Sequence, residues 1–211
     1  MNGPSSHSLR RLRREDLPSE APALARFLIG KMLVHRVGDL LLSGRIVETE
    51  AYLADDPSCH GFNGVTKRNR SLFLPRGHSY VYLSYGCWPL LNISAGEAGE
   101  GTGVLFRALE PVDGLEAMRT AFPHVKDRDL ARGPGRLARA MRVGMELDGL
   151  DFCGEGPLWL APASRESRAL GASVRIGITK AADLPLRFFE RDSPFVSGPR
   201  SLNAMVQPGA L

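Results

Sequence analysis

Apolar residues recur along this chain mostly at strand spacing, and at helical spacing in only a few places. Leu24, Phe27 and Leu28 form the i, i+3, i+4 stripe of an amphipathic helix. Ser19 is its expected N-cap, Pro22 falls in its first turn and Gly30 suits its stop. Residues 32–37 and 40–50 read as two strands joined at Gly38-Asp39. His78 to Ser84, Trp88 to Ser94 and Thr102 to Leu109 predict three more, turning at Tyr85-Gly86 and at Gly96 to Gly99. Gly114 to Phe122 and Arg132 to Val143 predict helices, while Trp159-Leu160, Val174 to Ile178 and Leu186 to Phe189 predict short strands that complete the sheet. Residues 53–70 form a long loop ending in Lys67-Arg68-Asn69-Arg70, and a loop of that length inside a domain usually carries function. No repeat or linker interrupts the pattern. It predicts one α+β domain over residues 16–205, a mobile basic tail over 1–15 and a short tail over 206–211.

Composition narrows the class. At 211 residues with 43% hydrophobic and 24% charged residues, the chain suits a single globular domain. No apolar run reaches the ~18 residues of a membrane span. The start, with Arg10-Arg11-Leu12-Arg13-Arg14, lacks the apolar core of a secretory signal, so a cytoplasmic location is expected. The net charge of +4 comes from 23 arginines and only 4 lysines. Arginine grips phosphate and stacks on bases, which suits nucleic acid, but an arginine-favouring genome gives the same bias. Cys59, Cys87 and Cys153 are too few and too scattered for a disulfide framework, and Cys59 beside His60 is a poor start for a metal site. No metal or organic cofactor is expected.

Two stretches concentrate chemistry. In Arg45-Ile46-Val47-Glu48-Thr49-Glu50-Ala51-Tyr52, strand alternation puts Glu48 and Glu50 on one face and Val47 and Thr49 on the other. The two carboxylates fit a general acid/base pair, a metal site or a solvated sheet face, and spacing alone does not choose between them. Tyr80 and Tyr82 share a face of the next stretch, and Tyr85 falls at a hairpin tip. A tip aromatic is either a wedge for stacked base pairs or ordinary packing folded back on the sheet.

Arg45 to Leu53, Arg68-Asn69-Arg70, Tyr80 to Gly86, Asn92-Ile93-Ser94, Val104 to Pro111 and Gly133-Pro134 together resemble the alkyladenine (3-methyladenine) DNA glycosylase family. The likeness runs in order from about Leu24 to Ser197. It implies a curved, mainly antiparallel sheet with a protruding hairpin that inserts into DNA. Carried over residue by residue, Glu50 matches the carboxylate that deprotonates water, and Arg107 and the Ile176 carbonyl match the groups that hold that water. Tyr52, His60 and Tyr82 match the residues that grip the flipped base, and Asn92 the one that disfavours normal guanine. Tyr85 matches the intercalating side chain. Arg68, Arg70 and Arg136 are the expected phosphate contacts. Cys87 departs from the apolar residue that often follows the Tyr-Gly tip. The implied activity is removal of alkylated, and also deaminated, purines from double-stranded DNA by a monomer. No lysine falls at a matched catalytic position, which implies a monofunctional enzyme that leaves an abasic site. A catalytically silent DNA binder and a nucleosidase are the alternatives. The first has no need of Glu50 with Arg107, and the second has little use for Tyr85, Arg68, Arg70 and Arg136.

Overall fold

Strand β2 (Leu40–Tyr52) is the longest element and the one to which the others attach. In this computed structural model, which describes residues 9–163, 165 and 169–204, β1 (Met32–Val37) turns through Gly38 and pairs antiparallel with the first half of β2. Gly38 has a φ of +60°, the left-handed conformation a tight hairpin needs. On the opposite edge, β5 (Thr102–Asp113) runs antiparallel along most of β2. Beyond it lie β4 (Trp88–Ala95) and β3 (Ser79–Ser84), while β6 (Leu158–Ala161) flanks β1. A two-strand extension of β7 (Leu170–Ser173) and β8 (Arg187–Glu190) joins the second half of β2. All pairings are antiparallel, and the sheet curls strongly into a half-barrel with few helices, an α+β fold.

Helix α1 (Ala21–Leu28) lays Leu24, Ala25 and Leu28 onto the sheet, where they join Ile46, Ala51 and Phe106 in the main core. Leu24 and Leu28 are fully buried, so truncating either to Ala costs about 2–5 kcal/mol. Helices α2 (Leu115–Ala121) and α3 (Pro134–Ala140) follow β5, and a short α4 (Arg200–Ala204) lies at the end of the described chain. The cap of α1 is Glu20, one residue later than Ser19, whose carbonyl instead accepts the Gly96 amide at 2.7 Å.

Three further expectations are corrected. Residues 9–15 are not a free tail: Leu12 is buried with its amide on the Leu160 carbonyl at 2.8 Å, and Arg14 pairs with Asp151 at 2.7 Å. Arg11 stacks 4.5 Å over Trp159, so Arg11 and Arg14 are spent on packing while Arg10 and Arg13 stay exposed. Residues 1–8 and the expected 206–211 tail lie outside the described residues. Val174 to Ile178, despite its alternating pattern, is not a strand. Gly177 has a φ of +80°, and the polar groups of Arg175 and Ile176 bond to Asp56 and Glu50 instead of a neighbouring strand.

The third correction concerns β2 itself. Its register against β5 shifts between Ile46 and Glu48 and again between Glu48 and Thr49. Such a bulge places two successive side chains on one side. Ile46 and Ala51 point into the main core and Thr49 hydroxyl donates to the Ala25 carbonyl at 2.9 Å. Val47 instead packs with Ala108, Phe189 and Val196. Val47 thus sides with Glu48, not with Thr49, and the two glutamates still share a face.

Candidate active site

Arg107 on β5 holds both carboxylates of β2. Its Nε donates to Glu48 Oε1 at 2.8 Å and its Nη1 to Glu50 Oε2 at 3.1 Å. Glu48 also accepts Arg187 Nε at 2.7 Å, the Ser197 hydroxyl at 3.0 Å and the Ser197 amide at 2.7 Å. Three of these donors converge on Oε1 and the Ser197 amide reaches Oε2. Burial alone would push Glu48 up, but Arg107, Arg187 and Ser197 hold it below the ordinary carboxylate range. Glu50 accepts only three: Arg107, the Tyr52 hydroxyl at 3.0 Å on Oε2 and the Ile176 amide at 2.7 Å on Oε1. Burial dominates there and raises Glu50 above the ordinary range, against the pull of Arg107 and the Ile176 amide. Each carboxylate thus has one oxygen with a single donor, Oε1 in Glu50 and Oε2 in Glu48, and the two differ in their partners: Tyr52 and the Ile176 amide for Glu50, Arg187 and Ser197 for Glu48. The donors that tell the two apart come from residues 176, 187 and 197, far away in sequence.

In front of Glu50, Tyr52 closes one wall of a pocket of about 320 Å³, a size suited to a small planar ligand. His60, Tyr80, Tyr82 and Asn92 complete the walls, and Arg68 and Tyr85 stand on its lining too. Tyr80 and Tyr82 stack with ring centres 5.5 Å apart, and the His60 ring meets Tyr82 edge-on at 4.4 Å. Nδ1 of His60 lies 2.8 Å from the Tyr80 hydroxyl. Burial and the charge of Arg68 lower the His60 pKa, so the imidazole is neutral at pH 7 and offers one donor and one acceptor. Burial and the charge of Glu50 push the Tyr82 phenol up to about 12, and the same causes raise Tyr52 further. Both phenols stay protonated. Asn92 donates Nδ2 to the Tyr80 carbonyl at 3.1 Å, which fixes the orientation of its amide.

The long loop that brings His60 to this pocket is organised by Asn69. Its Nδ2 donates to the carbonyls of His60 (2.7 Å) and Gly64 (3.0 Å), and its Oδ1 accepts the amide and hydroxyl of Thr66 at 2.6 and 2.9 Å. The middle residue of Arg68-Asn69-Arg70 is therefore a buried tie between flanking exposed charges. Cys59 packs inward with its thiol on the Gly101 carbonyl at 3.3 Å. A second tie, missed in the sequence, joins Arg175 to Asp56. Asp55-Asp56-Pro57 reads as a turn, and nothing local marks Asp56 as buried.

The β3–β4 hairpin rises at the pocket mouth. The Cys87 amide returns to the Ser84 carbonyl at 3.2 Å, and Tyr85 (φ +50°) with Gly86 (φ +74°) gives the turn its left-handed centre. Tyr85 is 97% exposed, so the packing alternative for this side chain is excluded. At the foot of the hairpin, half-exposed Trp88 lies over Gly135 in α3. Arg70 and Arg136 are exposed and outside the pocket lining, Arg136 donating to the Asp129 carbonyl at 3.3 Å. Arg68 donates to the Leu83 carbonyl at 2.9 Å, on the hairpin itself.

The sequence matches the methylpurine-DNA glycosylase (MPG) family over residues 15–194. The chain belongs to that family. A protein of Mesorhizobium japonicum named "Putative 3-methyladenine DNA glycosylase" is 58% identical over 189 residues, 90% of this chain and 91% of its own. Proteins of the same name in Paraburkholderia phytofirmans (48% over 199 residues, 94% and 93% covered) and Methanoculleus marisnigri (44% over 178, 82% and 92%) are also similar. The matched span contains Glu48, Glu50, Tyr52, His60, Tyr82, Asn92, Arg107 and Ile176. As a methylpurine-DNA glycosylase the chain is a hydrolase of N-glycosyl bonds whose substrate is DNA and whose setting is repair of alkylation damage. Among its described residues no helix is long and apolar enough to cross a membrane.

Proposed function

We propose that this methylpurine-DNA glycosylase turns an alkylated purine out of duplex DNA into the Tyr52–His60–Tyr82 pocket and hydrolyses its N-glycosidic bond with water activated by Glu50. The observation that carries this is the contrast between the two glutamates. Glu50 bonds Tyr52 at the pocket wall and is raised by burial, whereas Glu48 bonds Arg107, Arg187 and Ser197, none of which lines the pocket, and is held low. Water donates one proton to Glu50 as its oxygen bonds to C1′ of the sugar. The C1′–N bond breaks and its electron pair leaves with the base. Positive charge building on the sugar is stabilised by the same carboxylate. Arg107 keeps Glu50 in place, and the Ile176 carbonyl is a further anchor for the water, a role supported by the amide of that residue already bonding Glu50.

A purine alkylated to a cation leaves as a neutral base and stacks well on the electron-rich faces of Tyr52 and Tyr82. A deaminated purine such as hypoxanthine is neutral and must gain a proton as it departs, so it is the slower substrate. Asn92, at the pocket wall, crowds the exocyclic amine of normal guanine. Tyr85 fills the gap left in the duplex, and Arg68, Arg70 and Arg136 hold phosphates. No lysine lines the pocket, which supports a monofunctional enzyme leaving an intact abasic site. A single lesion has no two-fold symmetry, so one copy suffices. Acting on chromosomal DNA, the enzyme belongs in the cytoplasm.

The test is single-turnover base release from methylated DNA and from duplexes holding one hypoxanthine or ethenoadenine, for wild type and Glu50→Gln. Release by wild type alone, with DNA binding retained in both, is expected. Tight binding with no release from any substrate would favour a silent binder, and a borohydride-trapped adduct would overturn the monofunctional assignment.

A further inference from the structure

Behind the base pocket lies a charged pair that the hydrolysis does not use. The side chains of Arg175 and Asp56 are wholly buried and ion-paired. Nη1 of Arg175 also donates to the Ala51 carbonyl at 3.0 Å and Nη2 to the Ala181 carbonyl at 3.2 Å, so the guanidinium is locked in place. Its central carbon stands 4.6 Å from the centre of the Tyr52 ring. One face of Tyr52 is thus covered by a cation, and a base in the pocket meets the other face.

A cation on the back of an aromatic ring draws its π density away and adds its own repulsive field, both of which disfavour a second cation in front. A carboxylate in contact with that guanidinium largely cancels the field at the distance of the base. The remaining charges around the pocket, Glu50 with Arg107 on one side and Arg68 at the mouth, do not touch this pair.

We propose that Arg175 and Asp56 are positioning residues that set the balance between positively charged and neutral lesion bases, Arg175 by fixing Tyr52 and Asp56 by neutralising the charge behind it. This rests on the base occupying the pocket as described above. Two readouts separate charge from structure. One is single-turnover release of cationic 7-methylguanine. The other is affinity for a duplex with neutral ethenoadenine, followed by the fluorescence of that base on extrusion, which needs no cleavage.

Asp56→Asn leaves the guanidinium uncompensated, and the expected result is a drop of about thirtyfold in 7-methylguanine release with ethenoadenine affinity within about threefold of wild type. That is the order expected of one unit charge roughly 8 Å away, the 4.6 Å plus one stacking distance, at an effective dielectric near 20. Arg175→Met, which removes the cation, moves the ratio of the two readouts the opposite way. It decides the matter alone where Asp56→Asn does not fold. Equal losses in both readouts, or ratios shifted in the same direction by the two substitutions, would make the pair merely structural. A wild type that neither releases 7-methylguanine nor extrudes ethenoadenine would overturn the pocket assignment itself.

Discussion

Glu48 and Glu50 are two residues apart on one strand, yet their environments drive them in opposite directions. Glu48 is pulled below the ordinary carboxylate range by Arg107, Arg187 and Ser197, despite its burial. Its stabilising contribution is therefore complete above the unfolded value and is lost as pH falls through the depressed folded value. Glu48→Gln leaves two buried guanidiniums short of a counter-charge and is expected to cost about 3–5 kcal/mol, read by urea unfolding at pH 7. Glu50 is the reverse case, raised by burial. As pH rises from the unfolded value toward the raised folded value, the native state holds the extra proton, so stability falls. The stability of Glu50→Gln relative to wild type should then improve as pH rises from the ordinary carboxylate value toward the raised one. If Glu50 is the base proposed above, wild-type activity should rise over the same range, because only the ionised carboxylate takes a proton from water, and the acid limb of the pH–rate profile should lie above the ordinary carboxylate value. Glu50→Gln removes that base and should slow release by about 10²–10⁴-fold. A mutant limb unchanged in position and height would point to another base.

At the level of elements, the strands were legible because their periods are strong, and the segments that build the site were not. Val174 to Ile178 alternates like a strand, but its amides and guanidinium serve Glu50 and Asp56, and a local pattern holds no trace of partners more than a hundred residues away. The bulge at Val47 is equally invisible, since β2 and β5 create it between them. The pairing of Tyr52, His60, Tyr82 and Asn92 in one pocket followed from resemblance, because periodicity says nothing of how a long loop folds back. The hairpin tip was better marked. Tyr-Gly between two strands reads as a turn, and the fold adds that Tyr85 occupies a left-handed conformation, costly for a tyrosine, while burying almost nothing. That combination is what the proposed wedge role calls for, and it can be tested. Tyr85→Gly should hold or raise the melting temperature while lowering release from duplex DNA by about tenfold or more, since extrusion costs a few kcal/mol. Release from single strands, which have no gap to fill, should change little. An equal loss on both would make the tip a pocket wall and not a wedge.

For the molecule as a whole, the abundance of arginine is a weaker signal of DNA binding than it looks. Arg45, Arg107, Arg175 and Arg187 are buried in internal ion pairs, and Arg119 is closed off on the surface by Asp127 at 2.7 Å. Much of the bias therefore serves the interior and the surface's own pairing. The phosphate contacts proposed for Arg68, Arg70 and Arg136 have an expected signature that tests them. Neutralising a phosphate releases its counterions, so the logarithm of affinity falls with the logarithm of salt by about 0.9 per contact on duplex DNA. Alanine at any one of the three should flatten that slope by about one contact and weaken lesion-bearing and undamaged duplex alike. The single-turnover rate at saturating enzyme should hold for Arg70 and Arg136, which stand outside the pocket, and fall for Arg68, which lines it. Arg119→Ala is the control, since its charge is already met by Asp127 and Glu116. A slope unchanged by all three substitutions would move the DNA path to another face, and with it the assignment of Tyr85 as the wedge.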